Sequence, residues 1–182
     1  MKERGMIFNG EMVRALLDGR KTQTRRPVAK VRADNCLTLR KPTKTRSGVH
    51  THVMDAPKHG LCPFGVVGDR IWVRETFSEK MDWEDGSCCA VNYSATSESP
   101  IGKKWKPSIH MPREHSRILL EITAVRVERL RSITLDDARS EGMGDAMPIL
   151  EYSRLWNSIY PGNNWQSNPW VWVIEFKKIS DF

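Results

Sequence analysis

The chain has 182 residues, with 29 Lys and Arg against 22 Asp and Glu for a formal charge of +7; that is enough for one domain with a real core, or one domain enlarged by insertions. No apolar run approaches the ~20 residues that cross a bilayer, and the first five residues lead into too few apolar ones for a signal peptide. A membrane partner is excluded on this reading and a cytoplasmic location expected, while the basic excess favours a polyanionic partner without requiring one.

Residues 9–18 read as a helix. Asn9 is a capping residue, Glu11 places a carboxylate in the first turn, and Met12, Ala15 and Leu16 recur at helical spacing. Gly19 suits the left-handed residue that ends a helix, and Pro27 closes the extended run that follows. Between them stand Arg20, Lys21, Thr22, Gln23, Thr24, Arg25 and Arg26, four cations and two hydroxyls. On a strand Thr22, Thr24 and Arg26 share one face, and Lys21 joins them only from within the turn. Such a segment is either a solvated rim around an ordinary strand or a held group of side chains that binds phosphate or does chemistry.

Residues of about 28–62 are rich in Lys, Arg, Thr and Asp with little periodicity, and read as a long loop insertion. Loops of that length are uncommon unless they bind something or move. Residues 65–69 form a turn. Residues 70–77 then alternate Ile71, Val73 and Glu75 against Trp72, Arg74 and Thr76, as a strand does. Glu75 is a carboxylate candidate, with pairing to Arg70 or Arg74 as the plainer account. Residues 88–94 read as a further strand, and a second insertion, about 95–115, holds Trp105, His110 and Arg113. The longest strand covers 116–130, where the apolar phase switches near Ala124, calling for a bulge or bend.

Thr134, Leu135, Asp136 and Asp137 start a helix with a capping box in which Asp replaces the usual Glu. That helix runs to Gly142 and leaves Glu141 at its negative end, where a carboxylate needs a cation; Lys21 is the candidate. Residues 149–159 form the last helix, stopped by Pro161 and Gly162, and the strand over 170–176 is apolar on both faces and belongs in the core. Four cysteines, at 36, 62, 88 and 89, read as free thiols. His50, His52, His59 and Cys62 lie close in sequence but lack the paired spacing of zinc sites. We expect neither a metal nor a cofactor.

The pattern Gly19-x-Lys21-x-x-Thr24-x-Arg26 after a short helix resembles the signature of ASCH domains, small β-barrels related to the PUA domains of RNA-modifying proteins. That signature usually carries Glu where this chain has Thr24, a departure shared with the small bacterial N4-acetylcytidine amidohydrolases. Asp137-Ala138-Arg139-Ser140-Glu141-Gly142-Met143 is similar to their second acidic segment. Ile159-Tyr160-Pro161-Gly162, followed by Trp172-Val173-Ile174-Glu175-Phe176-Lys177, is similar to their C-terminal strand. Over most of its length the chain resembles longer ASCH-like proteins of phages and prophages, through Gly68-Asp69-Arg70-Ile71-Trp72-Val73-Arg74-Glu75 and Pro107-Ser108-Ile109-His110-Met111-Pro112-Arg113.

The resemblance implies an α+β fold, a single ASCH-like domain over 1–182 built as a small PUA-like barrel with peripheral helices and two long loop insertions. It also implies a hydrolase acting on a modified nucleoside or RNA, by amide hydrolysis of an N-acylated cytidine. Lys21, made less basic by its cationic neighbours and burial, is then the general base, Thr24 the nucleophile, and Glu141 the group that orients Lys21 or handles the proton. Arg20, Arg25 and Arg26 bind substrate, with Glu75, His110 and Arg113 as further contacts and the 107–113 loop over the pocket. An ordinary Lys–Glu salt bridge is the plainer account of Lys21 and Glu141. Three other functions stay open. One is an RNA-binding module in which the cations meet phosphates and Trp105 or Trp83 stacks on unpaired bases; the others are a ribonuclease and a phage morphogenesis or interaction protein. The expected partner is a nucleoside or a single-stranded nucleic acid.

Overall fold

The computed structural model describes residues 1–81 and 88–181. In chain order the elements are β1 (Glu3–Ile7), α1 (Gly10–Leu17), β2 (Gln23–Pro27), β3 (Cys36–Arg40), β4 (Val49–His52), β5 (Arg70–Arg74), β6 (Phe77–Met81), β7 (Cys88–Tyr93), β8 (Ile118–Arg129), α2 (Leu135–Ser140), α3 (Pro148–Ile159) and β9 (Trp170–Asp181). Asn9 caps α1 by accepting from the Met12 amide at 2.8 Å, and Gly19 ends it at φ 75°. The capping box on α2 is complete, with Thr134 accepting from the Asp137 amide and Asp137 from the Thr134 amide.

β1, β5, β8, β9 and β2 form one sheet in that order. β1 runs parallel to β5, and the other neighbours are antiparallel. The register of β8 on β9 slips between Ile122 and Ala124, the bend called for by the phase switch near Ala124. β9 is buried on both faces. Trp172, Ile174 and Phe176 enter a core with α1 and β5, whereas Val171 and Val173 enter a second core with Tyr152 and Trp156 of α3.

Two expectations need correction. The sheet is open: β1 and β2 are its edges and do not pair, so the small closed barrel is not formed by backbone hydrogen bonds. The edges are joined instead by a side chain, since Arg26 of β2 donates to the Ile7 carbonyl of β1 at 2.6 Å. The 28–62 segment is not a structureless loop. It folds as the β3–β4 hairpin and a 3-10 turn, Val53–His59, that buries Val53 and Ala56 in the first core. The 95–115 segment is pinned by paired backbone bonds between Phe77 and Lys106 and by buried Met111. No helix among the described residues is long and apolar enough to cross a membrane.

Candidate functional site

The turn after α1 is stitched to two helix ends at once. The Lys21 amide donates to the Ala15 carbonyl at 3.0 Å and the Thr22 amide to the Ser140 carbonyl at 2.8 Å, which brings the C-termini of α1 and α2 together. Gly142 makes this approach possible: its φ is 95°, and a Cβ there would lie 2.8 Å from the Ala15 Cβ.

Lys21 points into that junction with a side chain that is 0% exposed. Its Nζ donates to the Glu141 carbonyl at 2.9 Å and to Glu141 Oε2 at 2.7 Å. One cation therefore answers both the negative end of α2 and the carboxylate placed there. Burial lowers the Lys21 pKa from its ordinary 10.5; Glu141 opposes this, and the charges of Arg26 and Arg25 add to it. Glu141 is not held by Lys21 alone. Arg25 Nη1 donates to its Oε1 at 3.1 Å, while Arg25 Nη2 meets Glu128 Oε1 at 2.5 Å and Asp137 Oδ2 at 3.2 Å. Burial alone would lower Arg25, but Glu141 first, then Tyr152 and Glu128, raise it, so it stays charged. Burial pulls the Asp137 carboxyl upward, yet hydrogen bonds from Thr134 and Gln23 and the charge of Arg25 hold it below the usual range.

Thr24 is buried on β2 beside this network. It lines a crevice of about 10 Å³ with Arg26, Tyr152, Leu155 and Tyr160, room for about one water. Among the described residues nothing hydrogen-bonds its hydroxyl. Arg26 donates to Tyr160 Oη at 3.1 Å and to Ile7 O, but its buried Nε, like that of Arg25, has no hydrogen-bond partner among the described residues. Met12, Glu141 and Leu155 form both the wall of this crevice and the wall of a cleft of about 630 Å³ between α1 and α3. Arg14, Arg20, Glu151 and Arg154 line the cleft, a volume suited to a small ligand.

Lys21, Thr24, Arg25, Arg26 and Glu141 are thus brought together. Arg20 lies at the cleft, where it donates to the Gly142 carbonyl at 2.9 Å and pairs with Asp18 at 3.1 Å. Glu75, His110 and Arg113 line neither crevice nor cleft. Glu75 follows β5, which β8 and β9 separate from β2, and is taken up by the Arg117 guanidinium through two contacts of 2.9 Å. The 107–113 loop lies over the opposite edge, with the Ile109 carbonyl held by Arg74 and Arg113 paired to Glu3 at 2.9 Å. Trp105 is half-buried; Trp83 lies outside the described residues.

Sequence reasoning missed Glu128, Tyr152 and Tyr160. Glu128 stood as a polar position on a long strand, Tyr152 as one residue of a helix, and Tyr160 as the residue before the Pro161 that ends it. Tyr152 is held well above 10, first by burial and then by Glu141, so its phenol is neutral. His50 and His52 make other contacts. His50 Nε2 lies 2.9 Å from Arg32, His52 packs edge-on against Trp170, and Cys62 is in the core. The described residues whose atoms could converge on a metal are Glu79, Cys88 and His115, within 4.8 Å of one another. Glu79 there is already paired with Lys106 and with His115 Nε2 at 3.0 Å.

The fold has likenesses among solved structures. One is an ASCH domain from Lactobacillus crispatus JV V101, with 16% identity, TM-score 0.43, and 98% of this chain against 80% of that one covered. Another is a protein of Enterococcus faecalis V583 assigned to the DUF984 family, with 10% identity, TM-score 0.44, and 100% of this chain against 83% of that one covered. No protein-family model matches the chain, and no curated protein matches it.

Proposed function

We propose that the chain is a PUA-like module of the ASCH type, working in the cytoplasm, whose Lys21, Thr24 and Glu141 hydrolyse the amide of an N-acylated cytidine. The observation that carries this reading is a buried lysine of lowered pKa bonded to Glu141, a residue that lines both the ligand-sized cleft and the crevice of Thr24, whose hydroxyl has no hydrogen-bond partner among the described residues. Neutral Lys21 takes the Thr24 proton as Oγ1 attacks the amide carbonyl carbon. The unpartnered Arg26 Nε–H receives the developing oxyanion. Collapse breaks the C–N bond, and the Lys21 ammonium returns the proton to the departing cytidine amine. Water, deprotonated in turn by Lys21, then releases the acyl group from Thr24. Glu141 holds Lys21 in position throughout, and Arg25, by sharing Glu141, keeps that carboxylate from pinning Lys21 in its charged form. Substrate entry requires the Leu155 and Tyr160 wall to move, because the crevice otherwise admits only a water.

The test is cytidine release from N4-acetylcytidine, followed by liquid chromatography for wild type, Lys21→Ala and Thr24→Ala. Turnover by wild type alone supports the assignment, and no turnover by folded wild type sinks it. The narrowness of the crevice favours one second reading, a nucleic-acid-binding module without chemistry, for which Thr24→Ala leaves affinity unchanged.

A further inference from the structure

The cations of the 19–27 segment are engaged within the protein: Arg20 with Asp18, Lys21 and Arg25 with Glu141, and Arg26 with Tyr160. They are poorly placed to hold phosphates. The free positive charge lies elsewhere. Between residues 28 and 62 seven Lys and Arg stand against two Asp, a surplus of five in a chain whose total is +7. Arg32 pairs with Asp34 at 3.5 Å and Lys58 with Asp55 at 2.7 Å. The other five, Lys30, Arg40, Lys41, Lys44 and Arg46, are exposed, and among the described residues none forms an ion pair.

This charge surrounds a groove. The β3–β4 hairpin and the chain leaving β2 enclose about 660 Å³, with Lys30, Arg32, Lys41 and His50 lining it and no described carboxylate among its walls. Leu37, Leu39 and Leu61 supply an apolar surface inside the same groove. The Arg32 guanidinium and the His50 ring, both exposed, meet there at 2.9 Å.

We propose that this groove docks a single-stranded nucleic acid, with phosphates on the unpaired cations and bases against the leucines and the planar groups of Arg32 and His50. A duplex offers cations its phosphates but keeps its bases stacked inside, so it leaves the apolar surface unused; an unpaired strand satisfies both. An acidic protein segment meets the charge but offers no flat rings to the guanidinium and imidazole. The proposal rests on the nucleic-acid partner of the preceding reading and not on its chemistry.

Binding of fluorescent oligouridylate, measured by anisotropy across a salt series, tests it without turnover, so an absence of deacylation does not touch the result. The triple variant Lys41→Ser, Lys44→Ser, Arg46→Ser is compared with Lys103→Ser, Lys104→Ser, Arg131→Ser, which removes the same charge from exposed sites outside the groove. The first is expected to bind at least ~10-fold more weakly at low salt and to flatten the log affinity against log salt slope by about 2, at roughly 0.7 per phosphate contact on a single strand. The second is expected to stay near wild type. Equal loss in both variants would overturn the proposal, because only the overall field would then matter. Equal affinity for duplex RNA, or displacement of the RNA by polyglutamate at matched charge, would also overturn it. Photo-crosslinking of the RNA to wild type gives a readout independent of any variant's folding: crosslinks within 28–62 support the groove, and crosslinks confined elsewhere remove it.

Discussion

Burial of Lys21 makes the stability of the fold depend on pH. The folded pKa of Lys21 lies below the 10.5 of the unfolded chain, so between those two values the unfolded state holds more protons and stability rises with pH. Below the folded pKa the cost of burying the charged form is present in full. Lys21→Met is expected to flatten the alkaline rise in stability, measured as the pH-dependent difference in urea midpoint between the two proteins. It should also destabilise by about 3 kcal/mol near neutrality, because Glu141 loses one of its two cations while staying buried. In the deacylase reading kcat/KM rises through the same lowered pKa and levels off before 10.5, and a rise that continues to 10.5 or beyond would contradict Lys21 as the base. Thr24→Ser, which keeps a hydroxyl, should retain measurable turnover where Thr24→Ala loses about 10²-fold or more.

At the scale of elements, the site exists because two helix C-termini meet over one turn. Gly142→Ala tests that junction away from the reacting groups. The positive φ and the 2.8 Å approach to Ala15 both oppose a Cβ, so a loss of about 1–3 kcal/mol is expected in chemical denaturation. An unchanged midpoint would mean that the α1–α2 contact is looser than the hydrogen bonds from Lys21 and Thr22 imply. α3 has a separate part. Leu155 lies on its cleft side and closes the Thr24 crevice, so Leu155→Ala should lower KM for N4-acetylcytidine if that wall limits entry. A raised KM at unchanged kcat would instead make Leu155 a substrate contact. These elements were legible in advance because their signals are local. The Asn9 cap, the Thr134 and Asp137 box, the slip at Ala124 and the two-faced apolar strand β9 depend on spacings of one to four residues. β1 was not legible: Met6 is its buried apolar residue, and Gly5 is accommodated there by the Trp72 ring packed over it.

Across the whole molecule, charge is divided between two regions with different uses. One is a buried network around Glu141, in which cations and carboxylates satisfy one another. The other is the hairpin segment, where Lys30, Arg40, Lys41, Lys44 and Arg46 stand exposed and form no ion pair among the described residues. Buried pairs are little screened by salt and exposed charges strongly so. Added salt is therefore expected to weaken nucleic-acid binding steeply while leaving the thermal midpoint nearly unchanged. A midpoint that falls in parallel with affinity would place the salt-sensitive pairs in the fold itself.

The sequence by itself determined local matters: the helices α1, α2 and α3, the strands β5, β8 and β9, where these are capped and bent, and that Glu141 at a helix C-terminus needs a cation such as Lys21. It could do so because backbone periodicity and helix-end electrostatics act over a few residues. Only the tertiary structure decided that Arg25 also joins Glu141, from 116 positions away. It likewise decided that Glu75, His110 and Arg113 lie across the sheet from the site, that the sheet stays open with Arg26 spanning its edges, and that the segment first read for its charge has its cations engaged. Each of these depends on which distant side chains meet in space, and a cation's freedom to bind a partner is fixed by the carboxylates that the fold brings within reach of it.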